Sequence, residues 1–567
     1  MTDPGWFVQE GRYTVVMVGV EDSTCLSHNG DAPPMSLATD SGPPTPPLPT
    51  TTIGGALDDA VRRYGHREAL VSVEQGQRYT YAELSEAVDG LARGLIARGI
   101  EKGDRVGIWS PNCSEWVLVQ YATARIGAVL VTINPAYRTH ELAYVLDQAG
   151  VRLLVAAPSF KTSDYVGMTK EAAPDVDAVF FGSPEWDALS LDGGPLPERG
   201  LTPDDPINIQ YTSGTTGFPK GATLSHRNIL GNGFLVGQLC GYTQLDRVCV
   251  PVPFYHCFGM VMGNLGALSH GACIVIPAPA FDPAATMRAV TQERCTSLYG
   301  VPTMFIAELA LPDFASYDVS SLRTGIMAGS PCPVEVMKQV QGFMPEVTIC
   351  YGMTETSPVS TQTRADDTLD RRVSSVGRVH PHVTVKVVDP ATGATVERGE
   401  TGELCTAGYG VMLGYWNDPD KTAEAIDAEG FMHTGDLAVM DADGYLSIVG
   451  RSKDMVIRGG ENVYPREIEE FLYTHPEVLD VQVIGVPDTR YGEELCAWVR
   501  VADGAALTPE ALRDWCKGKL AHYKVPRYVR FTDEFPMTVT GKVQKFKMRE
   551  ASIDELGLHD AAGVATA

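Results

Sequence analysis

Nowhere in this 567-residue chain is an apolar run long enough to cross a membrane. The longest candidates, such as residues 126–133, are strand-sized, against the ~18 residues a spanning helix needs. Basic residues are scarce as well: 45 Lys and Arg stand against 71 Asp and Glu, a formal net charge of −26. A general binder of nucleic acid or anionic membrane needs basic surface, so both are excluded as overall roles. One local basic pocket for a phosphate-rich ligand is not excluded. Paired cysteines are missing too: twelve are scattered singly and none forms Cys-x-x-Cys, so neither a zinc ribbon nor a thioredoxin-type site is written here. The apolar residues 13–20 have no signal-peptide n-region, and their acidic flanks do not suit a transit peptide. Reduced thiols in a cytoplasm are the expectation. Internal repeats are absent.

What is present is a 44% apolar share, enough for large buried cores, and a length well above the ~100–200 residues of one domain. Residues 1–47 stand apart, with one basic residue, Arg12, against six acidic ones, and seven prolines fall between Pro33 and Pro49. Such a stretch buries little and lacks backbone donors, so 1–47 is expected to be a disordered, Pro-rich arm, with a start at Met35 as the other reading. Compact structure is expected from about residue 48. Thr80-Tyr-Ala-Glu83 is a capping box ahead of Leu84, Val88, Leu91 and Leu95, spaced for one helix face. Helices and apolar strands then alternate to about residue 350, the pattern of an α/β protein with parallel strands. After residue 383 short strands and turns such as Asp441-Ala-Asp-Gly444 predict a β-rich subdomain over about 383–452. A last α+β unit is expected over 453–555, with a helix over 509–520, and 556–567 is a tail.

The densest chemistry stands in Tyr211-Thr-Ser-Gly-Thr-Thr-Gly-Phe-Pro-Lys220-Gly221, directly after the apolar residues 207–210. Glycines let backbone N–H groups close on phosphate oxygens, and hydroxyls and a lysine add donors and charge. It is not a Walker A loop. Five residues after Gly214 stands Pro219 rather than Gly, and Gly221 follows the lysine in place of Ser or Thr.

This run resembles the phosphate loop of the adenylate-forming enzymes, which include acyl-CoA synthetases, firefly-type luciferases and peptide-synthetase adenylation domains. Further runs stand in that family's order: Tyr351-Gly-Met-Thr-Glu355, Gly402-Glu-Leu-Cys405, Gly414-Tyr-Trp-Asn417, Thr434-Gly-Asp436, Gly450-Arg-Ser-Lys-Asp454 and Gly541-Lys542. The resemblance spans about residues 50–552. Within the family, Tyr255-His-Cys-Phe-Gly259, residues 451–462 and Cys516-Lys-Gly-Lys519 look most like the medium-chain acyl-CoA synthetases called acyl-CoA synthetase family member 2. The resemblance implies an α/β fold. A large AMP-binding N-terminal domain over 48–452, of two α/β subdomains and a small β subdomain, is closed by a smaller mobile α+β lid over 453–555. It also implies a reaction in two halves. A carboxylate attacks the α-phosphate of ATP, giving an acyl-adenylate and pyrophosphate; the CoA thiol then attacks the adenylate carbonyl and AMP leaves.

Neither half needs a side-chain nucleophile, so catalysis is positioning and charge neutralisation. The resemblance makes Lys542 the lysine that reaches into the adenylation site, bridging carboxylate and α-phosphate. It gives Thr354 a contact to that phosphate and Glu355, with Thr215, the Mg²⁺, an ion that suits hard oxygen ligands. Tyr351, beside Gly352, offers adenine an aromatic face. Thr212, Ser213, Gly214, Thr215, Thr216, Gly217 and Lys220 hold the outer phosphates. Asp436 accepts from the ribose hydroxyls and Arg451 adds a second contact. Lys453 is the hinge of the lid, and Gly459, Gly460 and Glu461 admit the pantetheine arm of CoA. His256 gates the substrate carboxylate. Gly329 and Ser330 belong to the nucleotide set and, with the rest of residues 325–331 and Tyr299-Gly-Val-Pro-Thr303, line the acyl pocket. Lys517, Lys519, Lys524, Arg527 and Arg530 are candidates for a local cationic cluster toward CoA.

The protein expected is therefore an ATP- and Mg²⁺-dependent acyl-CoA synthetase for a medium- or long-chain fatty acid. Its ligands are the fatty acid, ATP and CoA, without nucleic acid, and a homodimer stays open. Three alternatives stand at this point. One is an acyl-AMP ligase that loads an acyl carrier partner, another an aryl- or amino-acid-activating ligase, and the third a catalytically dead binding homologue. Lys542, Glu355 and Asp436 kept together argue against the last.

Overall fold

Successive side chains on a strand face opposite ways, and here that alternation sorts residues into layers. In the strand Arg105–Trp109, Val106 and Ile108 enter one core and Trp109 the next; in Val151–Ala156, Leu153 and Val155 enter the first and Leu154 and Ala156 the second. Strands apolar on both faces are those of covered parallel sheets. The computed structural model describes residues 36–212, 219–330, 332–451, 454–458, 461–502, 504–517, 519–537 and 543–559. From Leu37 on, the chain forms one body.

Two large sheets share a helical layer. The seven-stranded sheet runs Gly414–Tyr415, Lys220–Ser225, Pro206–Thr212, Val129–Ile133, Arg105–Trp109, Val151–Ala156 and Asp177–Phe180, parallel from the third strand onward. The nine-stranded sheet has a parallel centre from Glu346–Gly352 through Thr324–Ala328, Ser297–Gly300, Arg247–Cys249 and Cys273–Ile276 to Glu68–Ser72, with antiparallel strands at its edges. Helices Tyr81–Ala97, Ser114–Ile126 and His226–Leu239 lie in the core common to both sheets. The first begins as expected: Thr80 Oγ1 accepts the Glu83 N–H at 3.2 Å, and Glu83 takes the Thr80 N–H at 2.8 Å. Its predicted face, Leu84, Val88, Leu91 and Leu95, is buried. Each such side chain contributes about 1.5–3 kcal/mol when fully removed from water.

The predicted β-rich part is a five-stranded antiparallel sheet, and it begins earlier than expected. Its edge strand is Thr39–Ser41, paired with Val383–Val388, followed by Thr401–Gly408, Met432–Met440 and Leu446–Arg451. This corrects the reading of residues 1–47 as a disordered arm throughout. Ala38 is fully buried, the His382 N–H donates to the Pro43 carbonyl at 3.1 Å, and His382 Nε2 lies 2.6 Å from the Pro46 carbonyl. Proline lacks a donor but keeps its acceptor, so a Pro-rich strip can be tied down through its carbonyls. Residues 1–35 and 560–567 lie outside the described residues.

The last unit has its own sheet of Glu461–Val463, Val456–Arg458, Gly492–Val501 and Val478–Asp488, with Tyr528–Phe531 parallel to Gly492–Val501. Helix Pro465–Leu472 packs on it. The predicted helix over 509–520 is shorter, Pro509–Cys516, because Lys517 turns to extended backbone.

Candidate active site

The site is built where parallel strands end, the usual place for ligands in α/β sheets. Thr212 and Lys220 are a cross-strand pair that closes the hairpin of Pro206–Thr212 and Lys220–Ser225. The predicted phosphate loop thus joins two antiparallel strands and not a strand to a helix, the structural reason it departs from a Walker A loop. Ser213, Gly214, Thr215, Thr216 and Gly217 lie outside the described residues.

Lys220 and Glu355 meet through a third residue. The Lys220 ammonium sits over the Tyr415 ring, 4.3 Å from its centroid, and the Tyr415 hydroxyl donates to Glu355 Oε1 at 2.8 Å. Glu355 is buried, on a short 3₁₀ turn Thr354–Thr356 after the strand Glu346–Gly352. Its second carboxylate oxygen carries no protein hydrogen bond among the described residues, so the donor set fits a hard divalent cation. Thr354 is buried beside the same turn, 3.8 Å from the Cys257 sulfur.

His256 therefore lies one residue from a contact with Thr354. Its Nδ1 accepts the Phe258 N–H at 3.2 Å, which places the proton of the neutral ring on Nε2. A buried π-helix, Phe258–Leu265, follows; such helices are rare and occur mostly at functional sites. Asn112, at the end of the strand Arg105–Trp109, ties this segment to the other sheet: its side chain donates to the Val252 carbonyl and accepts the Phe254 N–H. Between these strand ends lies a cavity of about 250 Å³, its wall including Pro111, Pro251, Tyr255, Phe281, Val301 and Met304. Val301 and Thr303 of the run 299–303 line it, and none of the described residues of 325–331 does. Gly329, at φ +92, comes near instead: a Cβ there would stand 3.2 Å from Val301. Gly329 and Ser330 are exposed at the end of Thr324–Ala328.

Two more predicted residues, far apart in sequence, are joined directly. The Tyr351 hydroxyl donates to Asp436 Oδ2 at 2.7 Å, next to the exposed Gly352. Asp436 also pairs in register with Arg451 across two antiparallel strands. A network behind Asp436 holds its backbone. Thr434 Oγ1 donates to the Leu404 carbonyl at 2.6 Å and accepts the Asp436 N–H at 3.1 Å. Glu403 Oε1 accepts the Gly435 N–H at 3.0 Å, and its Oε2 lies 2.9 Å from His433 Nδ1. Gly435 is at φ +70, a left-handed conformation that glycine adopts without strain. With Cys405, Glu403 and His433 are the one metal-ligand-type cluster among the described residues, and they already bond to one another.

Sequence reasoning gave Tyr415, Glu403 and His433 no role. The signal was at hand, since Tyr415 and Glu403 stand inside two of the quoted runs. Lys542, Lys453, Gly459 and Gly460 lie outside the described residues, as do the side chains of Arg451 and Glu461. Each of the candidate cations toward CoA has a partner on the lid itself. Lys517, Lys524, Arg527 and Arg530 pair with Asp514, Glu467, Asp488 and Glu555, and Lys519 sits over the Trp515 ring.

With this geometry in hand, the comparisons with known proteins are informative. Residues 57–416 match the AMP-binding enzyme family and residues 467–542 its C-terminal domain. A Bacillus subtilis (strain 168) protein, YngI, named as a candidate acyl-CoA synthetase, is 49% identical over 90% of this chain and 98% of its own. The mitochondrial medium-chain acyl-CoA ligase ACSF2 of Danio rerio is 43% identical over 94% of each chain. The crystal structure of ATP-bound MatB from Rhodopseudomonas palustris superposes with a TM-score of 0.82 at 32% identity, over 89% of this chain and 100% of that one. The chain belongs to the AMP-binding enzyme family. It is an AMP-forming acid–thiol ligase, an acyl-CoA synthetase whose substrates include ATP and CoA. No helix among the described residues is long and apolar enough to cross a membrane.

Proposed function

We propose that this synthetase activates a medium-chain fatty acid, with the cavity at the strand ends holding the alkyl chain. The observation that carries this is the cavity itself. It is walled by prolines, Phe281, Val301 and Met304, without a charged residue other than Lys161, and Tyr255, next to His256, forms part of it. Apolar walls with few polar groups suit an alkyl chain. In this reading His256 stands at the mouth, where the carboxylate meets the α-phosphate near Thr354. Tyr351 and Gly352 flank adenine, Asp436 and Arg451 hold the ribose, and Gly329 and Ser330 border the nucleotide. Residues 212–217 and Lys220 take the outer phosphates. Glu355, with Thr215, would hold Mg²⁺, whose charge neutralises the phosphates when bound.

The lid, 453–555, turns about Lys453 between the two halves; its separate sheet and core support that division from 48–452. In one setting Lys542 bridges carboxylate and α-phosphate; in the other the loop with Gly459, Gly460 and Glu461 admits the CoA thiol, which displaces AMP. The free thiols among the described residues suit a reducing compartment, the cytoplasm or the inside of a mitochondrion alike. The test is a panel of C2 to C18 acids plus benzoate with ATP and Mg²⁺, following AMP, pyrophosphate and acyl-CoA. Acyl-CoA formation with an optimum among medium chains is expected. Pyrophosphate without acyl-CoA would move the protein to the carrier-loading ligases, and preference for benzoate would move it to the aryl ligases.

A further inference from the structure

Lys220 and Glu355 carry opposite charges and both touch Tyr415, yet they form no ion pair with each other. Left adjacent, an ammonium and a carboxylate would collapse together, and neither would then be available to a phosphate or a cation. Tyr415 contacts both, the lysine with its ring face and the carboxylate with its hydroxyl. It is 7% exposed and fixed from three sides. Its strand pairs with Lys220–Ser225 in the register Ala222↔Tyr415, its N–H donates to Thr422 Oγ1 at 2.9 Å, and its hydroxyl donates to Glu355 Oε1 at 2.8 Å. The ring face meets the Lys220 ammonium at 4.3 Å, a cation–π contact.

We propose that Tyr415 is a positioning residue that keeps Lys220 and Glu355 apart, presenting the lysine to the phosphates and the second carboxylate oxygen of Glu355 to the divalent cation. This rests on the reading that Glu355 holds that cation. Hydrogen-bond partners of metal-ligating groups typically change metal affinity 10–100-fold when lost. The two roles are separable, because Phe retains the ring face and loses only the hydroxyl.

The test is calorimetric titration with ATP, without fatty acid so that nothing turns over, once in EDTA and once with Mg²⁺. In Tyr415→Phe, ATP affinity in EDTA should stay within about twofold of the parent, while the gain brought by Mg²⁺ falls about tenfold. In Tyr415→Leu both should fall, the metal-free affinity by about fivefold. Glu355→Gln separates the two levels of the argument. If it abolishes the Mg²⁺ gain while Tyr415→Phe preserves that gain, the role of Tyr415 is overturned and the cation reading stands. If Glu355→Gln leaves the gain intact, the cation reading fails and the proposal with it. Tyr415→Phe keeps the buried ring, so it decides the matter even if the leucine variant does not fold.

Discussion

The two ends of the proposed nucleotide site are supported by different architecture. At the proposed phosphate end, Lys220 and Glu355 sit at the ends of separate large sheets, and both contact one buried aromatic ring, that of Tyr415. At the nucleoside end, Tyr351 reaches from a large sheet to Asp436, whose backbone is secured by a polar network within the five-stranded sheet. The first arrangement keeps charges uncompensated by the protein, ready for a ligand that brings its own. The second is tied by internal hydrogen bonds through Tyr351, Thr434 and Glu403 and presents the Asp436 carboxylate as an acceptor. Charge at one end and geometry at the other should fail differently when disturbed.

Four experiments bear on that contrast, from the largest expected effect down. In the proposed reading Lys542 serves the phosphate end, and Lys542→Ala should lower acyl-adenylate formation by about 10²–10³-fold, the usual loss of one charge-stabilising donor. Conversion of preformed acyl-AMP to acyl-CoA should survive; equal loss of both would place Lys542 elsewhere. The second concerns acid. The helix behind the phosphate hairpin begins with His226, fully buried, its Nδ1 accepting the Ile53 N–H at 3.2 Å. Burial lowers its pKa to about 4, so the unfolded chain binds its proton first as pH falls. Stability is complete above about pH 6.5 and drains away toward pH 4, by up to about 3 kcal/mol. Thermal melts of the parent and His226→Gln at pH 7 and pH 5 should show the parent losing more on acidification; parallel losses would refute it.

At the nucleoside end, Asp436→Ala should raise KM for ATP by about 10–100-fold, the value of hydrogen bonds to a charged group, with little change at saturating ATP. A fall in kcat alone would mean that Asp436 acts on the chemistry and not on ribose. The smallest effect is Tyr351→Phe. It keeps the aromatic face and removes only the 2.7 Å bond that orients Asp436, leaving the carboxylate itself to meet the ribose, so KM for ATP should rise only about fivefold, or about 1 kcal/mol. Steady-state kinetics against ATP would read both, and a Tyr351→Phe effect as large as that of Asp436→Ala would break the distinction drawn between the ends.

Much of the fold was legible in residue order. Helix starts such as Thr80 to Glu83 are decided by bonds between residues three apart, and continuous apolar runs such as Val129–Ile133 announce strands covered on both faces whatever the partner. The arm was misjudged for a physical reason: composition counts missing donors in a proline strip but not the distant donors, such as the His382 N–H, that its carbonyls accept. The partners of the C-terminal cations were out of reach for the same reason. Sequence shows Lys524 and Arg527 as charges, while Glu467 and Asp488, 57 and 39 residues away, take them up only in the folded state.

By itself the sequence determined the α/β class and, through residue type and short spacing, the phosphate-binding character expected of residues 211–221 with Lys220; Tyr351, Glu355 and Asp436 became candidates through the resemblance of their runs to the family. Only the tertiary structure decided what lies between them. The Tyr351–Asp436 bond spans 85 residues and the Tyr415–Glu355 bond 60. Such contacts depend on which strands become neighbours, a property of the whole packed core that no local pattern encodes.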